Sequence, residues 1–163
     1  MEEFEELYKK YSHDIYRYHL KMVNYRADLA EELTQETFYQ TFLSLHKYRR
    51  ECSMKTWLCS IAKNTCFSYY KKNPICDSME ERVGNGLEQC TEEASMEEIM
   101  IWKEDYQHLL QLIRTLDQKY RDVLTYRIFY ELSFADIAKT MKISDNSAKV
   151  LFHRGKEMLK KKW

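Results

Sequence analysis

The run Tyr48-Arg49-Arg50-Glu51-Cys52-Ser53-Met54-Lys55-Thr56-Trp57-Leu58 sets cations beside aromatic rings in one short stretch. Aromatic faces stack on unpaired bases, worth about 1 to 3 kcal/mol per base, while neighbouring Lys and Arg hold the phosphates. Duplex DNA exposes no base faces, so this combination suits separated strands. Core packing competes for the same rings, because Trp57, Phe67 and Tyr70 recur at helical spacing. A second set stands near the other end of the chain: Asn146, Ser147, Lys149, Val150, His153 and Arg154. On one helix face these side chains can donate to base edges and phosphates in a major groove, whereas a merely solvated face would favour Glu–Lys pairs. The chemistry of both sets is recognition, with no covalent step.

Other chemistries find little to work with. Cys52, Cys59, Cys66, Cys76 and Cys90 are odd in number and contain no C-x-x-C pair, so neither a disulfide framework nor a standard zinc site is implied. They read as reduced thiols. His13, His19, His46, His108 and His153 are scattered, without the i, i+4 spacing that places two ligands on one helix face, and no metal or cofactor is expected. No phosphate loop or nucleophile pair is present, which excludes the usual enzyme classes. No apolar run approaches the roughly 20 residues of a membrane span, and Met1-Glu2-Glu3 lacks the basic and apolar regions of a secretory signal, so a cytoplasmic protein is expected.

The elements that must position these residues are helical. One proline and three glycines among 163 residues leave few turn formers, and the expected fold class is all-α. From Phe4 to about Lys72, apolar residues recur at helical spacing: Leu7, Tyr8, Tyr11, Ile15, Tyr18, Val23, Leu29, Leu33, Phe38 and Phe42. Three or four helices result, the last stopped at Asn73-Pro74 because proline lacks the amide donor and restricts its predecessor. The acidic stretch through Gly84-Asn85-Gly86 is weakly periodic and reads as a flexible linker. The expected organisation is a helical domain over 1–73, a linker over 74–93 and a second helical domain over 94–163. Helix resumes at the capping-box pattern Ser95-Met96-Glu97-Glu98. Gln118 to Phe129 reads as one helix with Tyr120, Val123, Leu124 and Ile128 inward. Ser133-Phe134-Ala135-Asp136 caps a short helix through Ile137, Ala138 and Met141; Lys142-Ile143-Ser144 then turns the chain into a last helix with Ala148, Leu151, Phe152 and Leu159 inward. This is a helix-turn-helix layout, with small Ala138 at the close approach and Ile143 plugging the turn.

The formal net charge is zero, yet charge is segregated. Lys47, Arg49, Arg50, Lys55, Lys63, Lys71 and Lys72 make one basic stretch and Lys149, Arg154, Lys156 and Lys160 to Lys162 another, separated by an acidic stretch from Asp77 to Glu93. The N-terminal third adds Glu2, Glu3, Glu5, Glu6, Glu31, Glu32 and Glu36. Such segregation suits several partners, although solvated helix faces would produce it too.

The two halves together resemble the extracytoplasmic-function group of sigma-70 factors, over nearly everything except the linker. Asp28-Leu29-Ala30-Glu31-Glu32-Leu33-Thr34-Gln35-Glu36-Thr37-Phe38 is similar to that family's region 2 helix. Thr56-Trp57-Leu58 through Ile61-Ala62-Lys63-Asn64-Thr65 is similar to its minus-10 reading helix. Lys119-Tyr120-Arg121-Asp122-Val123-Leu124, with Leu132-Ser133-Phe134-Ala135-Asp136-Ile137-Ala138, is similar to region 4, which reads the minus-35 element as a duplex.

The resemblance implies an alternative sigma factor with a region 2 helical bundle and a region 4 helix-turn-helix domain. Asp28, Glu31, Glu32, Gln35, Glu36 and Phe38 would then bind core RNA polymerase, through the coiled coil of its largest subunit, with the flap as a further contact. Tyr48, Arg49, Arg50, Lys55, Trp57, Lys63, Asn64 and Lys71 would bind minus-10 DNA. Ser144, Asn146, Ser147, Lys149, Val150, His153, Arg154 and Lys156 would bind minus-35 DNA. The family is commonly restrained by an anti-sigma factor, often membrane-bound, and the free chain is expected to be monomeric. Three departures stand out: Asp117 where the family often has proline, Val150 and Leu151 where it often has serine and arginine, and Arg50 where glycine is common. Two other readings fit the residues alone: a helix-turn-helix regulator with an N-terminal effector or dimerisation domain, and a thiol sensor using Cys52, Cys59 and Cys66.

Overall fold

In the computed structural model the described residues are 2–73 and 96–163, with side chains described for 3–73 and 104–163. Among them there are seven α-helices, one short 3₁₀ turn and no strand. The chain divides into two units, Met1–Cys90 and Thr91–Trp163. The division falls within the stretch expected to be a linker, whose conformation lies outside the described residues, as does the capping serine expected at Ser95.

The first unit packs α1 (Glu2–Met22), α2 (Ala27–Ser44) and α3 (Met54–Lys72) against one another. A 3₁₀ turn, Leu45–Lys47, extends α2. The core is built from Leu7, Ile15, Tyr18 and Met22 of α1, Leu29, Ala30, Leu33 and Phe38 of α2, and Leu58, Cys59, Ala62 and Cys66 of α3. The corner between α1 and α2 is made by Asn24 and Tyr25, both with left-handed backbone. Ser53 caps α3 by accepting from the Thr56 amide at 3.1 Å, and Tyr70 Oη donates to the Met22 carbonyl at 3.0 Å, joining the end of α3 to the end of α1.

Polar groups buried in this unit are largely satisfied within it. Thr34, Thr37 and Thr41 bond back to the carbonyls four residues earlier, at 2.6 to 2.8 Å, so their hydroxyls need no partner on another helix. Because Thr37 Oγ1 donates to Leu33, it must accept from His19 Nε2, 2.9 Å away. His19 is therefore neutral and protonated on Nε2, and its Nδ1 is buried without a hydrogen-bond partner. Burial holds its pKa down at about 3.

The second unit contains α4 (Met96–Arg114), α5 (Gln118–Ile128), α6 (Phe134–Met141) and α7 (Asp145–Lys162). Each of the last two helices starts on a serine cap: Ser133 accepts from Asp136 N and Ser144 from Ser147 N, both at 3.1 Å. Lys142 ends α6 in the left-handed conformation, and the Ile143 amide bonds to Ala138 O at 3.0 Å, closing the turn. Ile128 departs from the sequence expectation, being 38 % exposed. The helix ends there, and as the chain turns, Phe129 and Tyr130 take the inward positions instead. Asp117 occupies the N-cap of α5 without a side-chain capping bond. Gly155 lets α7 approach α5: a Cβ at that position would lie 3.0 Å from Leu124 Cδ1.

Candidate nucleic-acid and polymerase interfaces

On α2 the residues Asp28, Glu31, Glu32, Gln35 and Glu36 are exposed, and Gln40 Nε2 donates to Glu36 Oε1 at 2.7 Å, steadying that carboxylate. Phe38 must be corrected. It is only 3 % exposed, because Phe4 and Tyr8 of α1 close over its ring with centroids 6.4 and 4.8 Å away. It supports the helix from inside rather than meeting a partner. Tyr39 and Leu43, which the sequence does not mark, and Phe42, which stands in the expected apolar series, are exposed large apolar residues on the same helix. Asp28, Gln35 and Phe42 repeat every seventh residue and so share one stripe, which the neighbouring Glu31, Glu32 and Glu36 obscure in the sequence. A groove of about 770 Å³ separates α2 from α3, with Glu32, Glu36 and Tyr39 on one wall and Asn64, Ser68 and Lys72 on the other.

The loop before α3 and the first turn of α3 together gather five of the eight residues assigned to minus-10 DNA. Tyr48 Oη donates to the Cys52 carbonyl at 2.6 Å, folding the loop on itself, and the Tyr48 ring lies 5.1 Å from the half-buried Trp57 ring. Burial and the neighbouring Cys52 push the Tyr48 phenol above its usual range, so it remains a neutral donor. Arg49 and Arg50 are exposed, and Arg50 holds a left-handed backbone with φ of 58°. Lys55 is anchored by Tyr18, whose hydrogen bond is the main reason the ammonium pKa is raised, and lies 3.9 Å from Asp14. The sequence marks Tyr18 only as one of the apolar series and does not mark Asp14; both sit on α1, and no local spacing links them to the loop.

The other three residues separate. Trp57, Asn64 and Lys71 stand seven residues apart and share one face of α3, so Asn64 and Lys71 continue a line from the loop; Lys71 lies about 24 Å along the helix from Lys55. Lys63 is corrected: at 6 % exposure it lies on the inward side, near Cys59 and Cys66, and cannot present its charge to DNA. Cys52 is half-buried and Cys59 and Cys66 are fully buried. Among the described residues no cluster of His, Cys, Asp or Glu could hold a metal ion, and no helix is long and apolar enough to cross a membrane.

In the second unit α7 exposes Asn146, Ser147, Lys149, Val150, His153 and Arg154 together, while Ala148, Gly155 and Leu159 face inward. Ser144 and Ser147 bond to each other at 2.8 Å, so both serve the helix start. Lys156 lies at the edge of this face, its ammonium 4.9 Å from the centre of the Phe152 ring. Phe152 packs edge-on against Phe134, over which Arg127 stacks at 4.8 Å, so alternating cations and rings join α5, α6 and α7. Glu157 was overlooked by the sequence reading. It stands one turn beyond His153, and the neighbouring Lys160, 3.1 Å away, lowers its pKa.

The geometry places a cluster of rings and cations in one unit and a helix-turn-helix in the other. Two family models match in that order: Sigma-70 region 2 over residues 7–74 and Sigma-70, region 4 over residues 106–159. The chain is 28% identical over 156 residues to the ECF RNA polymerase sigma factor SigM of Bacillus subtilis (strain 168), covering 96% of this chain and 92% of that protein. It is 29% identical over 157 residues to the RNA polymerase sigma factor YlaC of the same organism, covering 96% and 90%. The fold is similar to that of the sigma factor RpoE in its complex with the anti-sigma factor NepR from Bartonella quintana, with a TM-score of 0.61, 16% identity and coverage of 99% and 96%.

Proposed function

The chain belongs to the extracytoplasmic-function group of the sigma-70 family and is an alternative sigma factor directing transcription initiation; from that premise we propose how its surfaces divide the task. The exposed acidic and amide stripe of α2, from Asp28 through Gln35 and Glu36, docks on core polymerase. The loop bearing Tyr48, Arg49 and Arg50, with Lys55 and Trp57 at the start of α3, takes the opened minus-10 strand, and Asn64 and Lys71 follow it along α3. The outer face of α7, with Asn146, Lys149, Val150, His153 and Arg154, enters the minus-35 major groove.

The observation that carries this reading is the pairing of unlike recognition chemistries in separate units. One unit offers rings and cations in a loop, suited to unpaired bases; the other offers a capped helix with donors along one face, suited to a duplex. A duplex-only regulator has no use for the first. Opening DNA breaks stacking, and capture of an extruded base by Tyr48 and Trp57 would offset part of that cost. No covalent step is involved, and the protein acts in the cytoplasm, where the polymerase works. An anti-sigma factor covering the α2 stripe is the expected restraint, supported by the NepR-bound state of the fold neighbour.

The test is run-off transcription from genomic fragments with core polymerase, with and without this chain. Defined start positions that appear only with the chain are expected. Their absence on every template overturns the reading.

A further inference from the structure

The α1 helix carries cations that the division of surfaces above leaves unused. Between Lys9 and Lys21 the helix has Lys9, Lys10, Arg17 and Lys21 against a single acid, Asp14. That carboxylate is directed to Lys55, 3.9 Å away. Lys10 and Arg17 are exposed and Lys21 is half-buried. At 100° per residue, Lys10, Arg17 and Lys21 fall within about 40° of one another, forming one ridge with Asp14 at its edge. From Lys10 to Lys21 the ridge runs about 16 Å at 1.5 Å per residue.

Its place in the unit gives the ridge its meaning. The face of α1 turned to the base-stacking loop is fixed by Asp14 and Tyr18, which hold Lys55, and by Tyr11, close enough to Tyr48 to influence its phenol. On the helix wheel the ridge lies immediately beside this face and opposite the core residues Ile15 and His19. The loop cations Arg49 and Arg50, and Lys55 at the start of α3, therefore pass over to those of α1, with Asp14 already engaged at the junction. A strand with its bases at Tyr48 and Trp57 has its next phosphates beside this helix.

We propose that Lys10, Arg17 and Lys21 form a backbone track on α1 that holds the phosphates of the same single strand whose bases the Tyr48–Trp57 loop engages. The inference rests on the sigma-factor reading for the identity of the strand. Its contribution is sequence-independent: it lengthens the life of the opened complex and does not alter which promoter is chosen.

The test uses the full chain with core polymerase on a template that the wild-type chain transcribes from a defined start. The triple variant Lys10→Ala, Arg17→Ala, Lys21→Ala is compared with wild type and with Lys9→Ala, on the other flank of α1. Helical circular dichroism and co-migration with core polymerase should be unchanged. The slope of log open-complex stability against log salt should fall by about 2 for three lost single-strand contacts, and heparin should dissolve the complexes about tenfold faster. The charge-preserving triple Lys10→Arg, Arg17→Lys, Lys21→Arg should restore both. An unchanged slope and lifetime with normal assembly would overturn the proposal. Loss of co-migration would also overturn it, by showing that the ridge touches polymerase protein. Anisotropy of a single-stranded oligonucleotide with the free chain checks the track without polymerase: weaker binding by the triple variant is expected, and equal binding overturns the track. Failure of the wild-type chain to initiate on any template would instead remove the sigma-factor reading.

Discussion

Arg50 keeps a left-handed backbone that an L side chain adopts at a cost of about 1 to 2 kcal/mol. Glycine would remove that cost while adding about 0.5 to 1 kcal/mol of unfolded-chain entropy, which leaves a small net gain. Arg50→Gly should therefore melt within a few degrees of wild type while forming fewer opened complexes, readable by permanganate reactivity of unpaired thymines. Equal reactivity would show that the guanidinium has no part in strand capture. His19 makes a pH-dependent contribution. It is neutral in the folded state, with a pKa of about 3, whereas the unfolded chain takes up a proton below about 6.5. Stability is thus fully present above pH 6.5 and is lost as the pH falls toward 3, at up to about 1.4 kcal/mol per unit. Melting temperatures of wild type and His19→Gln between pH 7.5 and 5 should diverge at the acid end, the wild type falling faster. Parallel curves would mean that the ring is not held neutral.

At the scale of the helix, α7 is both reader and packing element. Gly155→Leu would drive a branched side chain into Leu124 and should destabilise the second unit by about 1 to 3 kcal/mol, seen as a lower melting temperature with weaker minus-35 duplex binding. Glu157→Gln should act in the opposite sense on DNA, since it removes an anion from the outward face and releases Lys160. Duplex affinity at low salt should rise a few-fold, with the gain fading as salt is added; no change would place Glu157 outside the phosphate path. The helices and the outward face of α7 could be read from the sequence because strongly apolar positions and serine caps mark them. Lys63 could not, because beyond Leu58 the inner side of α3 is built from Cys59, Ala62 and Cys66, too weakly apolar to show which neighbouring lysine turns inward. Phe38 was misplaced for a related reason: the rings that cover it come from α1, and contacts between helices leave no mark on local periodicity.

For the molecule as a whole, tethering is the central expectation. Joining two modest DNA-binding surfaces makes the second contact intramolecular, at an effective concentration in the millimolar range for short flexible connections. Supplying residues 1–90 and 91–163 as separate chains should reduce run-off product at micromolar concentrations by about a hundredfold or more. Equal product from the two pieces would remove the advantage assigned to one chain. The covalent order of the halves was legible from charge segregation and motif order, whereas the α1 ridge was not, since it depends on which helix lies against the loop.

The corners of the fold share a trait with a practical outcome. Asn24, Tyr25, Arg50, Glu131 and Lys142 all bend in the left-handed sense, and none is glycine. Heat tolerance therefore has slack in it, held at a few known places. Neither Glu131 nor Lys142 is among the side chains assigned to nucleic acid, so relaxing these two bends offers a hardier protein that still starts transcripts at the same nucleotides.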